Sequence, residues 1–220
     1  MALTVSHRCQ NIAPSMTLSI DARAKEMKAA GLNVIGFGAG EPDFPTPQHI
    51  CDAAKEAIDL GMTRYTPAAG TKELRKAICE KLRRDNDMTY TYGDILVSNG
   101  AKHSLFNIFQ AILDPGDEVI VPTITFIATI AYPLSVGAKL VFADLDPRTL
   151  NMDPADVARK ITNKTKIIVP VHLGGYPVDM DPIMDLAAKH DITVLEDAAL
   201  HDEGAGLFHG VCDLQAHERL

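Results

Sequence analysis

The stretch GDILVSNGAKHSLFNIFQAIL, Gly93–Leu113, decides how the chain is read. Its first third is an apolar run that predicts a buried strand, Asp94–Ser98. Ser98-Asn99-Gly100-Ala101 then turns the chain into an amphipathic helix that begins near Lys102, with apolar residues at helical spacing through Leu113. A strand that turns through glycine into a helix aims the first backbone N–H groups, at the positive end of the helix dipole, toward whatever lies above the strand. A phosphate suits that position. Gly100 permits close backbone approach, and Ser98 adds a hydroxyl donor. The turn matches neither a P-loop nor GxGxxG, so it gives no support for nucleotide binding. Taken alone, such a turn is more often a plain connection.

Outward from this segment, β-rich apolar runs alternate with amphipathic ones. Strands are predicted at Asn33–Phe37, Asp94–Ser98, Glu118–Pro122, Lys139–Ala143, Lys166–Val171 and Thr193–Glu196. Helices are predicted at Ser15–Ala30, Pro47–Leu60, Lys72–Arg84, Lys102–Leu113, Pro154–Ile161 and Pro182–His190. Such alternation defines an α/β fold with a mostly parallel sheet and helices on both faces. Gly38–Pro47 reads as a shaped loop. His201–Leu220 has no apolar period and reads as a frayed tail or an odd C-terminal helix.

The 220 residues are 46% hydrophobic and 23% charged, and carry a net charge of −8. That length buries a core without disulfides or metals. The negative balance argues against a nucleic-acid or anionic-membrane partner, both of which want clustered Lys and Arg. Cys9, Cys51, Cys79 and Cys212 are scattered, as reduced thiols in a cytoplasmic protein would be. The N-terminal residues hold no long apolar stretch, and no run reaches the length of a membrane span. No metal site is expected.

Residues 12–122 resemble the class I aspartate aminotransferases. The pieces that carry this are GFGAGEPDF (Gly36–Phe44), TRYTPAAG (Thr63–Gly70), LRKAI (Leu74–Ile78), SNGAKH (Ser98–His103) and DPGDEVIVP (Asp114–Pro122). Residues 114–199 resemble instead the DegT-type nucleotide-sugar aminotransferases. Here the pieces are TFIATI (Thr125–Ile130), VGAKLVFADLDPRTLNMDP (Val136–Pro154), TKIIVPVHLGGYPVDMD (Thr165–Asp181) and VLEDAA (Val194–Ala199). DPGDEVIVP is common to both groups, so the chain reads as a mosaic joined there.

Both groups are fold-type-I enzymes that use pyridoxal 5'-phosphate, so the resemblance implies that fold, that cofactor and a homodimer acting on a small-molecule amino donor and a keto acid or keto-sugar acceptor. It further implies roles for particular residues. Ser98, Gly100, Ala101 and Lys102 would hold the phosphate. Tyr65 would reach the cofactor of the partner subunit. Gly38, Ala39 and Gly40 would lie near the substrate carboxylate. Phe126 would stack on the pyridine ring, though by itself it reads as well as a core residue. His172 would lie near the ring plane, and without the resemblance it reads as a satisfied core histidine. Asp197 would pair with the pyridine nitrogen and is the catalytic residue of the set. On spacing alone the Glu196-Asp197 pair could equally cap a following helix.

The resemblance further divides the chain. Residues 1–45 would form an N-terminal arm and the start of a small-domain segment, 46–200 an incomplete large cofactor-binding domain, and 201–220 an atypical tail. Both groups place a Schiff-base lysine downstream of the aspartate, whereas no lysine follows Asp197 here, and Leu200 stands where a glutamine is expected. The sequence thus implies a truncated aminotransferase without its small C-terminal domain, or a catalytically inactive cofactor-binding or purely structural fragment of one.

Overall fold

The computed structural model describes residues 4–38 and 44–199, together with the backbone of 211–215. Two compact units divide the chain, Met1–Tyr65 and Thr66–Leu220.

The first unit contains helices α1 (His7–Gln10), α2 (Met16–Ala29) and α3 (Gln48–Asp59). Ser15 starts α2 by accepting the Leu18 N–H at 3.3 Å, which satisfies one of the orphan amides of the first turn. The expected strand at Asn33–Phe37 does not form. This unit has no other described strand, and an extended segment becomes a strand only when a neighbour takes its amides.

The second unit opens with α4 (Lys72–Asn86), capped by Thr71, and α5 (Ala101–Ile112). Between them, the expected strand at Asp94–Ser98 is also absent. Its residues are engaged locally instead. Asp94 accepts both the N–H and the hydroxyl of Thr91, at 2.8 and 2.7 Å, and the Val97 N–H donates to Ala69 at 3.0 Å. The segment therefore lies against the Ala69–Gly70 turn and outside the sheet. Contact there is close. Gly70 has φ +95°, and a Cβ on it would come within 2.8 Å of Val97 Cγ2.

The sheet comprises β1 (Glu118–Pro122), β2 (Lys139–Ala143), β3 (Thr165–Ile168), β4 (Thr193–Ala198) and β5 (Val211–Gln215), in the order β2-β1-β3-β4-β5. β1 to β4 are parallel, and β5 pairs antiparallel with β4. The connections carry α6 (Ile127–Ser135), α7 (Pro154–Lys160) and α8 (Met180–His190). From β1 to β2 the chain steps one way along the sheet; from β2 through β3 to β4 it steps the other way. Right-handed crossovers then require α6 on one face and α7 and α8 on the opposite face.

Side-chain alternation satisfies that requirement. Val119, Val121, Ile167, Val169 and Leu195 point to one face and pack with Leu105, Phe109 and Leu113 from α5 and Ala128 from α6. Their neighbours Ile120, Ile168 and Val194 point to the other, against Val157 of α7 and Ile183 and Ala187 of α8. With both faces covered, the central strand β1 is an apolar run buried from Val119 to Pro122.

Three further differences from the sequence reading remain, two of them with a clear physical cause. β3 ends at Ile168, short of the expected Val171, because Pro170 has no N–H to give the ladder; pairing resumes only as an isolated bridge between Val171 and Asp197. Helix α6 was not expected from TFIATIAYPL, whose β-branched residues and Pro133 disfavour a helix. The crossover geometry imposes it. In the tail, Val211–Gln215 is a strand, neither frayed nor helical.

Helix α7 shows local chemistry setting an element. Asp153 accepts the Ala155 N–H at 2.9 Å, and Pro154 occupies the first turn, where a missing N–H costs nothing. Asp156 is buried. It bonds Lys160 at 2.6 Å, the Asp144 N–H at 2.6 Å and Arg159 at 2.9 Å. These partners, Lys160 first, hold its carboxyl down from the usual 3.8 to about 2. A depressed carboxyl stabilises the fold above its unfolded value and loses that contribution as pH falls toward its folded one. Asp156→Asn is therefore expected to be less stable than the wild type at pH 7, with the difference narrowing between roughly pH 4 and 2, in urea melts at a series of pH values. Gly70→Ala is expected to cost about 1–3 kcal/mol in the same measurement.

Candidate active site

The site lies where the parallel strands end. β1 separates β2 from β3, and the connections leaving β1 and β3 depart to opposite faces, which opens a crevice at their carboxyl ends. Thr125 and Phe126 follow β1 there, His172 follows β3, and Glu196 and Asp197 close β4.

Asp197 is 4% exposed, on the α5/α6 face of the sheet. The Thr129 hydroxyl donates to its Oδ2 at 2.7 Å, and the Ala199 N–H donates to its Oδ1 at 3.3 Å. Its main chain is tied to the β3 side as well, since Asp197 N–H donates to Pro170 and His172 N–H donates to the Asp197 carbonyl. In turn the Thr125 hydroxyl donates to Thr129 Oγ1 at 3.1 Å.

Phe126 is the residue before the first turn of α6 and is 56% exposed. Lys102, in the first turn of α5, sets its ammonium 4.7 Å from the Phe126 ring centroid, within cation–π range. Two residues earlier, Gly100 has φ +80°, a conformation that favours glycine and turns the chain into α5. His103 Nδ1 accepts the Asn99 N–H at 3.2 Å, which steadies this turn. Ser98 Oγ is buried without a hydrogen-bond partner, and buried hydroxyls are nearly always paired. Asp197, Phe126, Lys102 and Gly100 are thus linked residue to residue through the first turns of α5 and α6.

His172 is placed differently. Its ring is 4% exposed; Nδ1 accepts the Val178 N–H at 3.0 Å, and Nε2 lies 3.1 Å from Glu196 Oε2. A backbone N–H can only donate, so Nε2 is the ring nitrogen that donates to Glu196. Adjacent residues of a strand face opposite ways. Glu196 and His172 therefore meet on the α8 side, away from the Asp197 carboxylate. Tyr65 and Gly38 belong to the first unit. Tyr65 is fully exposed, and Gly38 lies against α2, where a Cβ would stand 3.2 Å from Ile20 Cγ2. Ala39 and Gly40 lie outside the described residues.

Sequence reasoning missed Thr125 and Thr129. Their signal was the four-residue spacing inside TFIATI, which has meaning only once a helix is known to start just after Phe126. Among the described residues no cluster of three or more His, Cys, Asp or Glu is placed to hold a metal ion, and no helix is long and apolar enough to cross a membrane.

A doubly wound parallel sheet with a buried aspartate at a strand end and a glycine turn opening the neighbouring helix is the arrangement of the fold-type-I pyridoxal-phosphate-dependent aminotransferases. The chain belongs to the DegT/DnrJ/EryC1/StrS aminotransferase family, whose model matches residues 71–206. It is similar to an aspartate aminotransferase of Bacillus subtilis, with 41% identity over 205 residues that cover 89% of this chain and 51% of that protein. An aspartate/prephenate aminotransferase of Thermus thermophilus is 39% identical over 203 residues, covering 88% and 52%. Among solved structures, the Thermus thermophilus aspartate aminotransferase with maleate superposes with a TM-score of 0.75 at 37% identity, covering 89% of this chain and 53% of that one. For the Rhizobium meliloti aspartate aminotransferase the TM-score is 0.76 at 36% identity, covering 90% and 51%. The chain spans about half the length of the curated relatives it matches.

The two bonds to His172 predict a structural role that is separable from the Asp197 side. His172→Leu removes the acceptor for the buried Val178 N–H, and is expected to lower stability by about 1–3 kcal/mol in urea melts.

Proposed function

We propose that this chain carries the cofactor-binding part of a pyridoxal-phosphate-dependent aminotransferase. Such an enzyme moves an amino group from a small-molecule amino donor to a keto acid or a keto-sugar. One observation carries the reading: a buried carboxylate at the end of β4 is joined, through Thr129 and Phe126, to the glycine turn that opens α5. The relatives named as aspartate aminotransferases favour an amino-acid donor such as aspartate or glutamate.

The residues fit the cofactor. When bound, pyridoxal phosphate supplies an electron-withdrawing ring that accepts the electron pair left as an amino acid loses its α-proton. Asp197 is an acceptor held in a dry setting, suited to keep a proton on the ring nitrogen. Phe126 offers a half-open aromatic face for stacking. The unpartnered Ser98 hydroxyl, with the amides and ammonium around Gly100, Ala101 and Lys102, suits a phosphate dianion. Within these 220 residues the proposed contacts are all non-covalent. Under this reading Tyr65 serves the cofactor of a partner subunit in a cytoplasmic homodimer, and Gly38, Ala39 and Gly40 receive the substrate carboxylate. Residues 46–200 then form the large domain, 1–45 the arm and the start of a small-domain segment, and 201–220 an atypical tail.

Titration of the purified chain with pyridoxal phosphate, followed by absorbance, tests the reading. Saturable binding is expected, and Asp197→Asn should weaken it roughly 10- to 100-fold, the loss of one charge-assisted hydrogen bond. Wild-type protein that fails to bind, or Asp197→Asn that binds as well as the wild type, would overturn it.

A further inference from the structure

We propose that Thr129, backed by Thr125, is the positioning residue that sets how Asp197 presents its carboxylate to the cofactor nitrogen. This rests on the cofactor reading above and extends it to residues that touch neither cofactor nor substrate.

The side chain of an aspartate turns about its last torsion in a broad, shallow well, so a strand alone leaves the carboxylate plane poorly defined. Here each oxygen has a donor. Oδ2 receives the Thr129 hydroxyl at 2.7 Å, a short charge-assisted distance, and Oδ1 receives the Ala199 N–H at 3.3 Å. The direction of the first bond is forced. A carboxylate only accepts, so the single Thr129 proton must point at Asp197. That leaves the Thr129 oxygen to accept, and the Thr125 hydroxyl supplies the donor at 3.1 Å. Thr125 stands just before the N-cap Phe126 and Thr129 in the first turn of α6, so the start of this helix brings the two hydroxyls together. A hydroxyl that accepts one bond donates a stronger one, so the pair acts in series.

Burial grades along this path. Thr125 is half-buried, Thr129 is 0% exposed and Asp197 is 4% exposed, so water does not replace the inner bond. Each carboxylate oxygen also keeps an acceptor position beyond the bond it already receives. A Thr–Asp clip that only fastened α6 to β4 would have no effect on a cofactor's ring, and that difference makes the inference testable.

The test is a titration of wild-type chain, Thr129→Val, Thr129→Ser and Thr125→Val with pyridoxal phosphate across the neutral pH range, reading affinity and the pH dependence of the bound cofactor's absorption band. Thr129→Val is expected to bind roughly 3- to 10-fold more weakly and to shift that pH dependence. Thr129→Ser should restore both, and Thr125→Val should move both the same way by less. A folded Thr129→Val with wild-type affinity and pH profile sinks the proposal, as does failure of the serine to rescue. Should Thr129→Val not fold, Thr125→Val decides, and an unchanged pH profile there is equally fatal. Absence of binding by the wild type removes the cofactor reading and this inference with it. Loss of binding in Asp197→Asn with no change in any threonine variant removes only the inference.

Discussion

Parallel strands have to be covered on both faces, and most of this structure follows from that constraint. The ladder puts Val119 and Val121 on one side of β1 and Ile120 on the other, so water must be kept from both. Two helical layers do this, α5 with α6 and α7 with α8. The handedness of the crossovers decides which connection goes to which layer. Reversal of direction around β1 then forces the chain to open at its carboxyl edge, and the polar side chains gather there because the apolar ones are spent elsewhere.

At that edge the pleat separates two neighbouring acids. Asp197 points toward α6 and meets a hydroxyl; Glu196 points toward α8 and meets the imidazole of His172. One dipeptide thus supplies two unrelated arrangements, one suited to facing a ligand and the other a buried bond that knits β4 to the turn after β3. Sequence alone could not divide the pair, since alternation assigns opposite faces without saying what each face contains.

Much of the architecture was legible because it rests on periodicity. The helices at Gln48–Asp59, Lys72–Asn86 and Pro154–Lys160 fall within a few residues of where apolar spacing and capping residues put them. Both β1 and β2 match residue for residue. What was not legible depended on partners. Asp94–Ser98 has the composition of a strand, yet its amide at Val97 goes to Ala69. TFIATIAYPL has the composition of a strand too, yet tertiary geometry winds it into α6. The same hidden helix start concealed Thr125 and Thr129, whereas Asp197 and Gly100 were singled out by the resemblance, with a strand-end acid and a helix-opening glycine as local support. His172 was placed near the cofactor ring by resemblance alone, and its bonds to Val178 and Glu196 depend on a turn that composition does not reveal.

The alternation along β4 also decides which genetic changes this region tolerates. Conservative replacements at its apolar positions alter packing by a methyl group or two. Deleting or inserting one residue is another matter, because side chains in a strand repeat every two positions. Such a change would turn Asp197 toward the histidine, Glu196 toward the threonines, and every apolar neighbour to the wrong layer. Mutational scanning of this strand should therefore show a sharp contrast between permissive point changes and lethal single-codon indels.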